Sequence, residues 1–325
     1  MHIRKLSDVV YRMLRLRTAL LILLFVAIAD AASKATSNYY APQLILVIAS
    51  LAAWYIFGTS INDLADEEID QVNLRGNPNR PLINKQIDRK QLWRIALTAA
   101  IVNLLLSIGL GGRAIIASLS ALALSYIYSM PPLQLSYRGI IAPLFLPLGY
   151  VVYPFLLTFT ANHAVFSADD YWLLAALYVS FTARIILKDF RDIKGDRQFG
   201  KRTFAVRHGT KATCLVSAMS WLIGVGLIVV RFNNFSLLWL ALVPFITGIF
   251  WALKMLSDVK ATKLQIQWVG LIGRLGNGTA ILILATLYAE LTPAKSSIYS
   301  ILIIGLAIFY LNTTYVLYKP LLKNH

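Results

Sequence analysis

The stretch Ile61-Asn62-Asp63-Leu64-Ala65-Asp66-Glu67-Glu68-Ile69-Asp70 carries the strongest structural signal in the chain. It places five of the chain's 15 acidic residues at the end of a long apolar run. Asp63, Asp66 and Asp70 are spaced i, i+3 and i+7, so they share one face if the helix continues through the stretch. Like charges at this spacing repel by roughly 0.2–0.5 kcal/mol per pair on an exposed helix. The stretch therefore predicts a neighbouring cation.

The same spacing returns in Lys188-Asp189-Phe190-Arg191-Asp192-Ile193-Lys194-Gly195-Asp196-Arg197. We name residues 62–70 motif one and residues 189–196 motif two. Each motif begins where an apolar run ends, and each leads into a basic loop. One such motif is also compatible with a solvated acidic rim. Two copies in equivalent places argue against that interpretation and indicate an ancient duplication.

Composition predicts an integral membrane protein. The chain has 325 residues, of which 58% are hydrophobic and 14% are charged, with a mean hydropathy of +0.65. A soluble domain carries about 25% charged residues. Apolar runs of about 20 residues, long enough to cross a bilayer as helices, recur throughout the sequence. The chain is expected to form a single all-α domain, a polytopic membrane helix bundle over residues 1–325.

The apolar runs predict nine to ten transmembrane helices. A retained first helix is favoured over a cleaved signal peptide because the basic lead-in before it is long. The candidate spans are 18–32, 42–60, 92–110, 113–129, 140–160, 170–188, 212–230, 235–253, 268–290 and 297–318.

Basic residues divide unequally between the two sides of this topology. If the N-terminus is cytoplasmic, the opposite side receives only Lys34, Arg113, Arg231 and Lys295. This asymmetry follows the positive-inside rule, and it puts both motifs on the cytoplasmic side of what we expect to be the cell membrane. The net charge of +16 therefore reflects membrane topology, and no nucleic-acid partner is expected.

The two motifs carry hard oxygen ligands of the type that Mg²⁺ prefers. Two acidic faces that meet across a bundle could each hold Mg²⁺, with a diphosphate bridging the ions. Nearby basic residues would neutralise the remaining phosphate charge. These residues are Arg75, Arg80, Arg197, Lys201 and Arg202.

These motifs resemble those of the UbiA-type intramembrane prenyltransferases. The similarity rests on Asn62-Asp63-x-x-Asp66-x-x-x-Asp70 with Arg80-Pro81 downstream, on Tyr128-Ser129-Met130-Pro131-Pro132-Leu133, and on motif two. The resemblance implies a nine-helix bundle around a central cavity with a lipid-facing side entrance. It also implies that a metal-bound diphosphate leaves an allylic isoprenoid, whose cation alkylates an acceptor.

The resemblance assigns roles to individual residues. Six aspartates take catalytic and metal-binding roles, with Asn62 as a further metal ligand and substrate contact: Asp63, Asp66, Asp70, Asp189, Asp192 and Asp196. Tyr126, Tyr128 and Lys188 are expected to contact substrate. Where the family has a basic residue shortly after the tyrosine, this chain has Gln134, with Arg138 four residues later.

The identity of the substrates stays open at this point. The expected donor is a polyprenyl diphosphate, and the acceptor is a quinone precursor, another aromatic compound or a lipid or pigment precursor, reached from the membrane. The amino-acid sequences of the motifs are more similar to those of the chlorophyll-synthase, homogentisate and archaeal-lipid branches of the family than to those of the 4-hydroxybenzoate enzymes. Two alternatives are a secondary transporter with a cation site in the acidic clusters, and a protein that only binds lipid diphosphate.

Two arginines fall inside predicted spans. Arg184, one turn before Lys188, either faces the bundle interior or extends its guanidinium to the membrane surface. Arg274 lies among glycines and is expected to serve packing or to extend to the surface. Glu67 and Glu68 point away from the aspartate face and are left out of the metal site.

Overall fold

The computed structural model describes residues 3–34, 41–233, 236–292 and 295–323. It confirms the all-α membrane bundle. The helices are α1 (Ile3–Met13), α2 (Leu16–Ser33), α3 (Ala41–Ala65), α4 (Glu67–Asn73), α5 (Arg89–Ile108), α6 (Gly112–Ser129), α7 (Ile141–Pro147), α8 (Tyr153–Ala161), α9 (Ala168–Ile185), α10 (Ile193–Gln198), α11 (Phe204–Arg231), α12 (Ser236–Asp258), α13 (Thr262–Leu291) and α14 (Ser296–Lys323).

Each predicted span overlaps one of these helices, with α7 and α8 together forming the fifth. Within the described ranges, eight helices are long and apolar enough to cross a membrane. The other two predicted spans correspond to α6 and α9, which have 18 residues each. Ten helices of spanning length therefore match the ten predicted spans, eight of them supported by both length and hydropathy.

Helix boundaries follow from local capping. Asp88 caps α5 by accepting a hydrogen bond from the backbone of Gln91, whose side chain in turn accepts one from the backbone of Asp88. Ser167 and Asp170 form the equivalent reciprocal cap at the start of α9. These caps satisfy backbone donors that have no partner within the helix, and so fix where both helices begin.

Two large apolar clusters divide the bundle into two halves. One is built from α3, α5 and α6, and the other from α9 and α11 to α14. Helices α2 and α8 contribute to both clusters and join the halves. A smaller cluster seats α1 on α3 and α5, with Val9 and Met13 buried. The main cavity lies between the halves.

The helix that carries motif one does not continue through it, which corrects the expectation of one uninterrupted aspartate face. Helix α3 ends at Ala65, and Asp66 has φ −100° and ψ 16° before α4 begins at Glu67. Motif two has the same construction. A 3₁₀ segment over Ile186–Arg191 precedes Asp192, after which α10 begins. The middle aspartate of each motif thus lies at a break between two helices.

Two short strands connect the loops on the motif side of the bundle. Strand β1 (Arg138–Gly139) pairs in parallel with β2 (Arg202–Thr203). This pairing ties the loop after α6 to the loop after motif two.

Candidate active site

Both motifs open into one cavity of about 810 Å³. The cavity is lined by ten of the fifteen residues that the sequence assigned to the site. They are Asn62, Asp66, Asp70, Arg80, Tyr128, Lys188, Asp189, Asp192, Asp196 and Lys201. Asp63 is buried behind this lining and is held by two arginines. The fold therefore brings together two motifs that lie more than a hundred residues apart in the chain.

Basic side chains neutralise motif one. Asp63 accepts hydrogen bonds from Arg80 and from Arg15, the latter with a distance of 2.5 Å between Nη2 and Oδ1. Arg80 Nη1 also lies 2.8 Å from Asp70 Oδ2. Lys201 Nζ donates to Asp66 Oδ2 over 2.9 Å. The cation predicted beside the acidic stretch is therefore present in the chain itself, as three side chains.

Motif one nevertheless keeps unused carboxylate oxygens. Asp63 Oδ2 and Asp66 Oδ1 are buried without a hydrogen-bond partner in the described parts of the chain, and the partner of Asp70 Oδ2 there is the ion pair with Arg80. Leaving a buried acceptor unsatisfied costs about 1–3 kcal/mol. Such oxygens fit a hard cation such as Mg²⁺, which takes oxygen ligands.

The aspartates alone do not enclose a metal. Among the described residues, no three Asp, Glu, His or Cys side chains are grouped closely enough to hold an ion. Mg²⁺ usually binds one or two carboxylates together with water and substrate phosphate. The donor set therefore fits a metal whose coordination is completed by water and a diphosphate.

Asn73 connects the two motifs. Its Nδ2 donates to the backbone oxygen of Asp192 over 2.9 Å, and its Oδ1 accepts from the backbone nitrogen of Gly195 over 2.8 Å. A Cβ at Gly195 would lie 2.7 Å from the Asn73 amide. Only glycine permits this approach, so the contact fixes α4 against α10.

Burial dominates the electrostatics of the carboxylates at the ends of the motifs. Desolvation raises the pKa of Asp70 to about 7, although Arg80 opposes the shift. Desolvation likewise raises the pKa of Asp196 to about 7, and Lys201 opposes it. The carboxylates of Asp66 and Asp196 in turn raise the pKa of Lys201, which stays cationic. The site thus holds acids that are costly to ionise until a further cation arrives.

Two lysines lie against tyrosines beside motif two. Lys188 Nζ donates to the Tyr128 hydroxyl over 3.2 Å. Lys201 Nζ lies 5.4 Å from the centre of the Tyr137 ring. Both lysines line the cavity, whereas Arg138 is exposed and uses its Nε to bond the backbone oxygen of Leu133. The cations closest to the tyrosines thus come from motif two and the loop that follows it.

Four of the predicted substrate contacts do not line the cavity. Arg75, Tyr126, Arg197 and Arg202 are exposed on the protein surface. Their positions in the sequence, next to the motifs, predicted contact with substrate, and that contact stays a prediction. Glu67 pairs with Arg89 away from the aspartates, as its exclusion from the metal site requires.

The structure adds Arg15 to the site, a residue that the sequence analysis did not select. Arg15 has φ 42° and ψ 68°, a left-handed conformation between α1 and α2 that is costly for a residue with a Cβ. Such conformations persist where the surroundings hold them, commonly at functional sites. The basic lead-in resembled a topology signal only, because nothing in the sequence shows that α1 folds back against α3.

An aromatic wall continues the cavity away from the motifs. Tyr150 stacks on Phe181 with 5.5 Å between ring centres, and its edge contacts Trp54 at 5.8 Å. Tyr150 lies in a π-helical segment, Leu148–Val152, between α7 and α8. A Cβ at Gly149 would lie 2.7 Å from the Trp54 ring. This wall offers an apolar surface and π faces beside the acidic end of the cavity.

Comparison with known proteins identifies a matching family and relatives that match about half of the chain. The model of the UbiA prenyltransferase family matches residues 20–272. The digeranylgeranylglyceryl phosphate synthase of Pyrococcus abyssi is 32% identical over 162 residues, which cover 50% of this chain and 55% of that protein. The 2-acylphloroglucinol 4-prenyltransferase of Humulus lupulus is 28% identical over 167 residues, covering 49% of this chain and 40% of the relative. The matches thus span about half the length of these relatives.

A solved structure shares the fold. The UbiA homologue from Archaeoglobus fulgidus, bound to GPP and Mg²⁺, superposes with a TM-score of 0.60 at 17% sequence identity. The superposition covers 94% of this chain and 99% of that one. The similarity therefore extends across nearly the entire described bundle.

Proposed function

The chain belongs to the UbiA prenyltransferase family, and we propose that it transfers an isoprenoid chain from a polyprenyl diphosphate to an acceptor within the membrane, with Mg²⁺ as cofactor. The observation that carries the proposal is the convergence of both aspartate motifs on one cavity, where buried carboxylate oxygens of motif one lack partners. The Mg²⁺-bound homologue of the same fold supports the choice of metal.

We assign different roles to the residues at successive positions along the cavity. Asn62 and the six motif aspartates would hold the metal, and Arg80, Lys188 and Lys201 would bind the diphosphate. All of these residues line the cavity except Asp63, which is buried behind the lining. When bound, Mg²⁺ stabilises the negative charge that develops on the leaving diphosphate. Departure of the diphosphate breaks the allylic carbon–oxygen bond, and the acceptor then forms the new bond to carbon. Trp54, Tyr150 and Phe181 exclude water and face the allylic cation with their rings.

The basic residues around motif one give a physical reason for cooperative binding of the metal and the diphosphate donor. Arg15, Arg80 and Lys201 form ion pairs with Asp63, Asp66 and Asp70. If these carboxylates hold the metal, Arg15, Arg80 and Lys201 would be released from them, and a diphosphate would offer the three side chains new anionic partners. Metal and donor therefore favour each other's binding.

The proposal also covers the membrane orientation of the chain and the class of its acceptor. We infer that residues 1–325 form one domain in the cell membrane, with both motifs on the cytoplasmic side, as the distribution of basic residues supports. The acceptor is an aromatic compound or a prenyl-lipid or pigment precursor, and the names of the relatives support these classes. Arg75, Tyr126, Arg197 and Arg202 have no role in the cavity of the metal-free protein. Metal sites at the helix ends and membership of a prenyltransferase family leave the transporter alternative without support.

The test is prenyl transfer by the purified protein from a radiolabelled polyprenyl diphosphate. We expect Asp63→Asn and Asp189→Asn each to lower kcat/KM by at least about 100-fold, the scale for losing one electrostatic stabiliser of the transition state. Chelation of Mg²⁺ should abolish diphosphate release. Glu67→Gln is the matched control, because it removes a carboxylate of the same stretch that pairs outside the cavity. Full activity of both aspartate variants would refute the assignment.

A further inference from the structure

Arg184 is a cavity cation that the proposed donor chemistry does not use. It lies in the last turn of α9 and lines the same cavity as the aspartate motifs. Its guanidinium points across the bundle to α13, where Nη1 donates to Asn277 Oδ1 over 2.5 Å. Nε and Nη2 lie over Gly273, 3.2 and 3.3 Å from the position that a Cβ there would occupy. Arg184 therefore faces the bundle interior and does not extend its charge to the membrane surface.

Arg184 has no anionic partner. Of the cavity-lining arginines, Arg15, Arg80 and Arg191 each pair with a motif aspartate, whereas Arg17 and Arg184 have no ion pair within the described parts of the chain. Arg184 has no carboxylate within 4 Å among the described residues, and its one hydrogen bond there is to a neutral amide. A charge within a membrane bundle is costly unless it is paired, and such residues mark functional sites.

Asn277 is the hydrogen-bond partner of Arg184 at this position. Its Oδ1 is occupied by Arg184, which orients the amide. Its Nδ2 has no hydrogen-bond partner in the described part of the chain, and the side chain is partly exposed. Asn277 itself does not line the cavity, so its role is to orient Arg184. The remaining guanidinium N–H groups of Arg184 thus lie at the cavity without an acceptor, a set that matches a phosphate or carboxylate group.

We propose that Arg184, oriented by Asn277, binds an anionic headgroup of the acceptor, a phosphate monoester or a carboxylate. This inference rests on the proposed prenyl transfer and adds the substrate class. Arg184 precedes Asp189 by five residues, which is about 8 Å along a helix axis. An acceptor anchored there by its anion can reach the donor's reacting carbon with a nucleophile on the same small headgroup. The acidic acceptor is thereby held apart from the diphosphate at the motifs.

Arg274, in the same region, provides a comparison with Arg184, because its contacts serve helix packing. Its Nε and Nη2 donate to Thr314 and Thr313 over 2.9 Å each, and its guanidinium lies 4.9 Å from the Tyr310 ring centre. It does not line the cavity and instead fixes α14 to α13. The change Arg274→Gln therefore removes an equal charge at a similar depth without touching the proposed subsite.

The test measures equilibrium binding of acceptor probes to the purified full-length protein without donor. One arm compares a prenyl glyceryl phosphate with the corresponding uncharged prenyl glycerol. A second arm compares 4-hydroxybenzoate with its methyl ester. The expected result is that wild-type protein prefers the acid in at least one arm, by about tenfold or more. Arg184→Gln should remove that preference, Arg184→Lys should keep part of it, and Arg274→Gln should keep all of it.

Separate measurements keep this inference distinct from the proposed function. Mg²⁺-dependent donor binding reports on the aspartate motifs and should be unchanged in Arg184→Gln, while the thermal unfolding midpoint reports on folding. If wild-type protein binds acid and neutral probes equally in both arms, the subsite does not exist, whatever happens to the donor. A preference that persists in Arg184→Gln would also overturn it. If the wild-type protein shows no Mg²⁺-dependent donor binding, the prenyl-transfer proposal itself is refuted.

Discussion

At the residue scale, the carboxyl groups of Asp70 and Asp196 make metal binding dependent on pH. Burial raises the pKa of each from its usual value of 3.8 to about 7. Because the folded pKa values are raised, the metal-free protein is more stable at low pH, and it loses that contribution as pH rises from about 4 to 7. Under the proposed metal assignment, Mg²⁺ held by the ionised carboxylates would offset the loss.

We expect the affinity for Mg²⁺ to fall by up to about tenfold per carboxyl between pH 8 and pH 6, because each proton must leave before the ion binds. Near pH 7, binding should release about one proton per protein, since each of the two groups is about half protonated. Calorimetry in two buffers of different ionisation enthalpy measures this release. In Asp70→Asn it should be smaller. An affinity that stays constant from pH 6 to pH 8 would contradict the prediction.

At the element scale, the α3–α4 and α9–α10 junctions position the motif aspartates at the cavity. Each junction breaks at the middle aspartate of its motif, and Asn73 joins the two across the cavity through hydrogen bonds of 2.9 and 2.8 Å. A continuous helix at either place would carry its last aspartate along the original helix axis. The break lets α4 and α10 turn so that Asp70 and Asp196 both line the cavity.

A double-mutant cycle tests this bridge. Asn73→Ala removes both hydrogen bonds, and Gly195→Ala pushes the Asn73 amide away with a Cβ that would lie 2.7 Å from it. We expect each single variant to weaken Mg²⁺-dependent donor binding by about tenfold, the effect typical of lost partners behind metal ligands. The double variant should be no weaker than Asn73→Ala, because the clash disappears with the amide. Additive losses would show that the two residues act independently.

At the scale of the whole molecule, both motifs belong to one end of the bundle. The turn between α8 and α9, with Val165 73% exposed, belongs to the other end. Residues Lys90 and Gln198 are exposed at the motif end. The basic residues concentrated at that end predict that it faces the cytoplasm.

Cysteine labelling in intact cells checks this orientation. In a Cys214→Ser background, a membrane-impermeant maleimide should label Val165→Cys, and it should reach Lys90→Cys or Gln198→Cys only after the cells are permeabilised. The two motif-end variants are matched to one another, because Lys90 lies at the start of α5 and Gln198 at the end of α10, beside motif two. Labelling of either in intact cells would place the motifs on the outer side.

The sequence by itself determined the membrane bundle and the composition of its site. Hydropathy periods locate helices because a bilayer imposes their length, and the repeated aspartate spacing identifies two half-sites because like charges require a shared cation. The helix interruptions at Asp66 and Asp192 were not predicted from the sequence, because placing residues on one helix face by their i, i+3, i+7 spacing assumes that the helix continues. The sequence-based prediction therefore overextended the aspartate face. The substrate contacts assigned to Arg75, Tyr126, Arg197 and Arg202 stay predictions; in the fold these four residues are exposed and do not line the cavity.

Only the tertiary structure decided which residues meet across the bundle. Arg15 reaches Asp63 because α1 folds back onto α3, and Arg184 faces Asn277 because α9 packs near α13. Both contacts join residues that are 48 and 93 positions apart, and neither leaves a periodic trace in the sequence. The physical reason is that hydrophobic patterning fixes which face of a helix is buried, while the partner of a buried polar group depends on how whole helices pack against one another.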